Sequence, residues 1–430
     1  MFSERVETLT AQIDDGHQAS INSSTKRQTR LRRVLNRLGL IVFGVLVGAG
    51  AAEIGLRIVG FSYPQFYEID SSLGYSLRPN IEGWYRKEGV SYVRINSDGL
   101  RDREHSKSKP ADTVRVAVLG DSYSEAMHVE MDQIFWKVAE KNLQNCPNLG
   151  GKKIEVINFG VSGYGTAQEF LMLHQRVWQY SPDVVLLAVT TNNDVTDNSR
   201  ALRKTNDIPY FVYTDGRLTL DDSFKETKTF QMRQSAPSRL VSWIQDHSRL
   251  IQLINSANRS FKYWMAARKA RSAAPKSAET KGPMLGDEPG IENAVYQQRN
   301  DPVWNDAWRV TEGLIARMRD EATSRNARFV VVTLSQGIQV YPDPKVRQNF
   351  TDRYGISDLF YPDHQFERIC ERQHVPAIIL APRLLDYAER NKAYLHGFGS
   401  DIGNGHWNQL GHRIAGELIA RDLCTGGVLK

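Results

Sequence analysis

At 430 residues the chain has material for one large domain or two smaller ones, and 41% hydrophobic with 24% charged residues is ordinary for a globular protein. A net charge of +6 raises nucleic acid as a partner. The lysines and arginines form no single stripe, however, and no nucleic-acid motif is present, so that class is set aside.

Part of the basic excess sits at the start, where Lys26, Arg27, Arg30, Arg32, Arg33 and Arg37 come without an acid. This block runs into LGLIVFGVLVGAGAAEIGLRIVGF, uncharged from Leu38 to Ala52. About 20 apolar residues cross a bilayer. The reading is a membrane anchor over residues 38–60, with Glu53 and Arg57 reaching the headgroups at its far end. The stretch before the apolar core is too long for a cleavable leader. The basic flank and the all-round apolar surface speak against a buried core helix. The positive-inside rule puts residues 1–37 in the cytoplasm and everything after about residue 60 outside it.

Residues 61–111 are rich in Tyr, Gly and turn signals such as INSDGLRD (Ile95–Asp102), which predicts short strands around turns, packed on the main domain. Five nearly continuous apolar runs follow: VRVAVLG (Val114–Gly120), KIEVINFG (Lys153–Gly160), DVVLLAVTT (Asp183–Thr191), ARFVVVTLS (Ala327–Ser335) and AIILAP (Ala377–Pro382). Such runs are strands buried on both faces. The amphipathic segments FWKVAEKNLQ, TAQEFLMLHQRVWQY and DAWRVTEGLIARMRDEA lie between them, the second opening with Thr166 and Glu169 at capping-box spacing. Alternation of this kind implies right-handed crossovers, a parallel sheet and helices on both faces: a three-layer α/β/α domain over 112–430.

An insertion, 195–302, separates the third and fourth runs. It holds a strand-like piece (PYFVYTDGRLTL), a helical piece in which Leu240, Ile244, Ile251 and Ile254 share a face and read as core packing, with a lid or a surface lying against the membrane as the alternative, and a low-complexity run, 266–290, expected to be disordered. Cys146, Cys370 and Cys424 lack metal-ligand spacing. One disulfide with a cysteine left over and three unlinked thiols are both open.

Sites in open α/β sheets gather at the carboxyl ends of strands. The first run ends in Gly120-Asp121-Ser122, the second in NFGVSGYGT and the third in TTNND. Ser122 offers a hydroxyl nucleophile, the glycines at 160, 163 and 165 admit backbone N–H groups close to a ligand, and Asn193 offers an amide donor. A serine needs a base. His406, between a Gly-rich loop and a helix capped by Asn408, is placed for it, whereas His128, His174, His396 and His412 read as structural. Asp121 and Asp194 read as residues that tie down their own turns. A metallohydrolase using Asp121, Asp194 and His406 has too few and too scattered ligands, and neither metal nor cofactor is expected.

GDSYSEAMHV, NFGVSG, TNND and GHWN, in this order, resemble the four blocks of the SGNH (GDSL-type) hydrolases, over roughly residues 112–424. The anchor and INSDGLRD resemble those of bacterial membrane-anchored members. The resemblance implies a flavodoxin-like sheet, Ser122 as nucleophile, His406 as base, and an oxyanion hole of the Ser122 N–H, the Gly163 N–H and the Asn193 side chain. It also implies a periplasmic domain on the bacterial inner membrane and an acylated carbohydrate or other ester as substrate. Two departures stand out. Thr191 replaces the glycine that opens the third block. The family's Asp, two or three residues before the His, falls on Gly403 and Asn404. Asp401 reaching the imidazole, Asn404 orienting it through its carbonyl, and a backbone carbonyl leaving a Ser-His dyad are the three readings. Asp401 is preferred, because a carboxylate stabilises the imidazolium. The expected function is an O-acyl (O-acetyl) esterase or acyltransferase. A lipid-ester hydrolase and a catalytically silent glycan-binding protein are the alternatives.

Overall fold

The structure, a computed structural model, describes residues 32–273 and 292–429. Most of the basic tail and residues 274–290 of the run expected to be disordered lie outside the described residues. Residues 266–273 of that run instead finish a helix, Arg249–Ala273.

Two compact units are present. The first joins the residues up to Ser62 with His247–Arg259. Its helix Arg32–Ile58 has 27 residues and a mean hydropathy of 2.0 in its most apolar stretch. At 1.5 Å per residue that is roughly 40 Å, long and apolar enough to cross a membrane. Leu40, Ile41, Phe43 and Leu46 are exposed on it. Glu53 does more than face solvent. Its carboxylate accepts the N–H groups of Arg249 (3.0 Å) and Leu250 (2.9 Å) and the Ser248 hydroxyl (3.0 Å), and so caps helix Arg249–Ala273. Arg57 pairs with the same carboxylate at 2.8 Å.

The second unit comprises Tyr63–Asp246 and Ser260–Lys430. It opens with two antiparallel hairpins, β1 (Tyr67–Asp70) with β2 (Gly74–Leu77), and β3 (Glu82–Tyr85) with β4 (Ser91–Arg94). Then come β5 (Thr113–Gly120), β6 (Lys153–Asn158) and β7 (Val184–Thr190). Next is a hairpin of β8 (Tyr210–Thr214) and β9 (Arg217–Asp221), and finally β10 (Arg328–Leu334) and β11 (Ala377–Ile379). The β8–β9 turn falls on Asp215 and Gly216, both at positive φ, as a two-residue hairpin turn demands. A five-stranded parallel sheet has the order β11-β10-β7-β5-β6.

The apolar runs are continuous because each strand feeds two cores. Ala117, Leu119, Val185, Leu187 and Val331 point to one, against helices Thr166–Gln175, Pro302–Ser324 and Tyr361–Arg372. Val116, Val118, Leu186, Ala188 and Val330 point to the other, against Phe135–Leu143, Ala381–Asn391 and Gln409–Thr425. This is the three-layer α/β/α domain, with β7 at the centre of its sheet and β5 beside it.

Some local expectations change. The stripe read as core packing is not buried: Leu240 and Ile254 are more than half exposed and Ile244 is exposed too. Helix Thr166–Gln175 starts where its signal places it, but Gly165 is the cap residue. Thr166 gives its hydroxyl to Asp194 (3.0 Å) rather than to a capping box. Cys146 and Cys424 form a disulfide with a Cα–Cα distance of 5.7 Å, and Cys370 is a buried free thiol.

Candidate active site

The position of Ser122 follows from the end of β5. Asp121 accepts the Tyr123 N–H (3.0 Å) and caps the short helix Ser122–Glu125, which sets Ser122 at the carboxyl end of β5, half-buried. His406 arrives from the other end of the chain. Asn408 caps helix Gln409–Thr425 by accepting the N–H groups of Leu410 (3.0 Å) and Gly411 (3.1 Å). Trp407 is fully buried and donates its indole N–H to Ser335 (2.9 Å). Held between these two anchors, His406 brings Nε2 to 2.7 Å from Ser122 Oγ.

The residue on the other side of the ring is Glu88, from the turn between β3 and β4. Its Oε2 lies 2.6 Å from His406 Nδ1, and its Oε1 accepts the His406 backbone N–H at 2.7 Å. A carboxylate only accepts, so Nδ1 carries the proton and Nε2 is left to accept from Ser122. Burial raises the Glu88 carboxyl, but the hydrogen bonds and charge of His406 outweigh it, and its pKa lies below the ordinary value. The approach depends on Gly405: a Cβ there, at φ +76°, would stand 2.3 Å from Glu88 Oε1.

Neither Asp401 nor Asn404 is hydrogen-bonded to the imidazole. The loop folds back on itself, with Gly397 N–H on His406 O and Gly403 N–H on His396 O, both at 2.9 Å. Asp401 ends up exposed at the close of a single 3₁₀ turn, and Asn404 Oδ1 is buried with no hydrogen-bond partner. The preferred reading of the sequence therefore meets a different geometry, with the carboxylate coming from residue 88.

Three of the other histidines lie around this one. His128 tilts against His406 with centroids 4.8 Å apart. The Phe135 N–H donates to His412 Nδ1 (3.3 Å), so His412 is protonated on Nε2 and donates to His128 Nε2 (3.0 Å). Burial, then the charge of His406, hold both well below the usual histidine value. His396 donates from Nδ1 to Gly405 O (2.7 Å) and accepts from Ser335 on Nε2 (3.0 Å), and burial lowers it to about 4. All three stay neutral around His406.

The ends of β5, β6 and β7 are neighbours, so the donors expected at an oxyanion hole come together from adjacent strands. Among the described residues, nothing takes the N–H of Ser122 or of Gly163. Gly163 has φ +77°, and a Cβ on it would meet the Tyr75 hydroxyl at 2.7 Å. Asn193 gives one amide hydrogen to Asp121 Oδ2 (3.1 Å), which orients the group and leaves its second hydrogen. Asp194 ties down its own turn by accepting the Thr190 N–H at 2.7 Å. A cavity of about 300 Å³ opens over Ser122 and His406, walled by Tyr67, Tyr75 and Tyr85 from the hairpins and by Glu125 and His128. Among the described residues no cluster of His, Cys, Asp and Glu is disposed to hold a metal.

No family model matches this sequence, and no curated protein matches it. Solved structures do match. One is a catalytic mutant of an acetylxylan esterase from Geobacillus stearothermophilus, at 12% identity and TM-score 0.35, covering 74% of this chain and 96% of that one. Another is a lipolytic protein of the G-D-S-L family from Desulfitobacterium hafniense, at 12% identity and TM-score 0.32, covering 72% and 98%. A third is the esterase EstA from Pseudoalteromonas sp., at 12% identity and TM-score 0.32, covering 72% and 96%. The four sequence blocks resemble those of SGNH hydrolases. Glu88, which sequence reasoning missed, lies outside all four blocks. The one signal for it was negative: a family acid absent from 403 and 404.

Proposed function

We propose that this protein is a serine ester hydrolase working through an acyl-Ser122 intermediate. The observation that carries the reading is the unbroken series Ser122 Oγ, His406 Nε2, His406 Nδ1, Glu88 Oε2, with contacts of 2.7 Å and 2.6 Å. His406 Nε2 takes the Ser122 proton as Oγ attacks the ester carbonyl. Glu88 stabilises the imidazolium, and the Ser122 N–H, the Gly163 N–H and the second Asn193 hydrogen receive the oxyanion. The proton on His406 then passes to the departing alkoxide. Water, or an acceptor hydroxyl in a transferase, then attacks the acyl carbon and gives its proton to Nε2, and Nε2 passes that proton to Ser122 Oγ as the acyl–Oγ bond breaks. The carboxylate on Nδ1 favours this reading over the silent binding protein, which rested on a poorly oriented base.

The domain is read as extracytoplasmic, tethered to a bacterial inner membrane by residues 38–60. The basic block before the helix supports this orientation, and the Cys146–Cys424 disulfide suits an oxidising compartment. Acylated envelope glycans are the substrate class that the sequence resemblance and this location favour. The test is fluorophosphonate labelling of the full-length protein beside Ser122→Ala and His406→Ala. Labelling of the wild type that both substitutions abolish is expected, and a folded wild type that takes up no probe would overturn the reading.

A further inference from the structure

The INSDGLRD segment has no part in the four blocks, yet it ends against both catalytic strands. Arg101 is 1% exposed. Its guanidinium donates to Glu125 O and Val129 O, both at 2.6 Å. Those carbonyls bracket the turn that follows the nucleophile helix, where Ala126 sits at φ 48°. Asp102, the next residue, accepts the Asn158 N–H on Oδ2 at 3.0 Å, at the last position of β6. Asn158 returns a bond from Nδ2 to Arg101 O at 3.3 Å and, through Oδ1, holds the Gly160 N–H at 3.0 Å. From Gly160 the chain enters the loop that carries Gly163. Two consecutive residues therefore grip two separate catalytic elements. One holds the turn behind Ser122, the other the strand end that launches the oxyanion loop.

Burying a guanidinium is costly unless its donors are matched. Here Nη1 and Nη2 of the planar fork reach one carbonyl each, while Nε is buried without a partner. Neighbouring side chains add to the grip: Ser91 donates to Met127 O at 2.5 Å, and Tyr75 to Ser162 O at 2.9 Å. Nothing in a general stabilising role requires the bonds to fall on these two turns.

We infer that Arg101 and Asp102 are positioning residues for acyl transfer, whose shared backbone fixes the spacing between the Ser122 nucleophile and the Gly163 oxyanion donor. This rests on the acyl-Ser122 reading. A displacement of about 1 Å in such a constellation costs on the order of 100-fold in rate.

The test uses the full-length protein with a fluorophosphonate probe, which separates two quantities. The labelling end-point counts competent sites, and the second-order rate reports their reactivity. Arg101→Lys and Asp102→Asn are expected to reach the wild-type end-point, per folded molecule, at a rate lower by about 10- to 100-fold. With p-nitrophenyl acetate, kcat is expected to fall while KM stays near the wild-type value. An end-point that drops while the rate per labelled site is unchanged would show a structural role alone and overturn the inference. Should Arg101→Lys not fold, Asp102→Asn, which keeps volume and shape, decides by the same two readouts. A wild type that never labels refutes the acyl-enzyme reading itself, which is a separate outcome.

Discussion

Replacing Glu88 by Gln is the most direct perturbation of the site, since it removes a charge and leaves the shape. In the folded protein the carboxylate meets His406 twice, at Nδ1 (2.6 Å) and at the backbone N–H (2.7 Å). Both side chains keep about a quarter of their surface in solvent, 27% for Glu88 and 28% for His406, so an effective dielectric near a protein surface applies rather than an interior one. Two unit charges about 4 Å apart then attract by roughly 4 kcal/mol. That attraction exists only while the imidazole is protonated, so it lowers the barrier and not the ground state. At about 1.4 kcal/mol per decade it corresponds to roughly 1,000-fold in kcat/KM. The assay is p-nitrophenyl acetate hydrolysis by Glu88→Gln, with Asp401→Ala and Asn404→Ala alongside and thermal unfolding to confirm the fold. A Glu88→Gln enzyme within a few-fold of the wild type would refute the reasoning, as would an Asp401 or Asn404 variant that loses more.

Three further outcomes follow from the same geometry. Gly405→Ala puts a Cβ 2.3 Å from Glu88 Oε1, so it should displace the carboxylate and lower kcat/KM by about 10- to 100-fold, read in the same assay. Glu125 is fully buried, and burial, opposed by the Tyr67 hydrogen bond, lifts it from the ordinary 4.5 to about 7. A carboxyl raised on folding contributes stability that is complete below pH 4.5 and lost as pH climbs through about 7. The advantage of Glu125→Gln over the wild type should therefore grow by roughly 3 kcal/mol across that window in urea denaturation, and parallel curves would refute it. Reducing the Cys146–Cys424 bridge, or replacing both cysteines by Ser, should cost about 2–4 kcal/mol, because the bond closes a loop of 278 positions. A denaturation midpoint unmoved by reductant would contradict that.

The parts of the site legible in the sequence are those whose geometry is local. Gly120-Asp121-Ser122 is a strand end, a cap and a helix start within three residues, and His406-Trp407-Asn408 is a base, a buried anchor and a cap. Glu88 lies 318 positions from the histidine it serves. Its own surroundings, an exposed-looking turn between two short strands, carry no periodicity, so only the docking of β3 and β4 reveals it. The same limit explains the helical stripe of Leu240 and Ile254, since periodicity marks an apolar face without telling what covers it. Thr166 shows the converse. The motif marked the helix start, but a buried Asp194 nearby competed for the hydroxyl.

The order of the reacting groups along the chain has a consequence for biosynthesis. Glu88 and Ser122 leave the ribosome well before His406, which lies 284 positions after Ser122 and is followed by the helix that carries Cys424. On the proposed mechanism, Ser122 has no base until that helix docks, and its hydroxyl is as inert as any other. A molecule still lacking His406 would carry the Ser122 turn with no power to attack esters. Synthesis of the distant histidine is then the step that switches the proposed chemistry on.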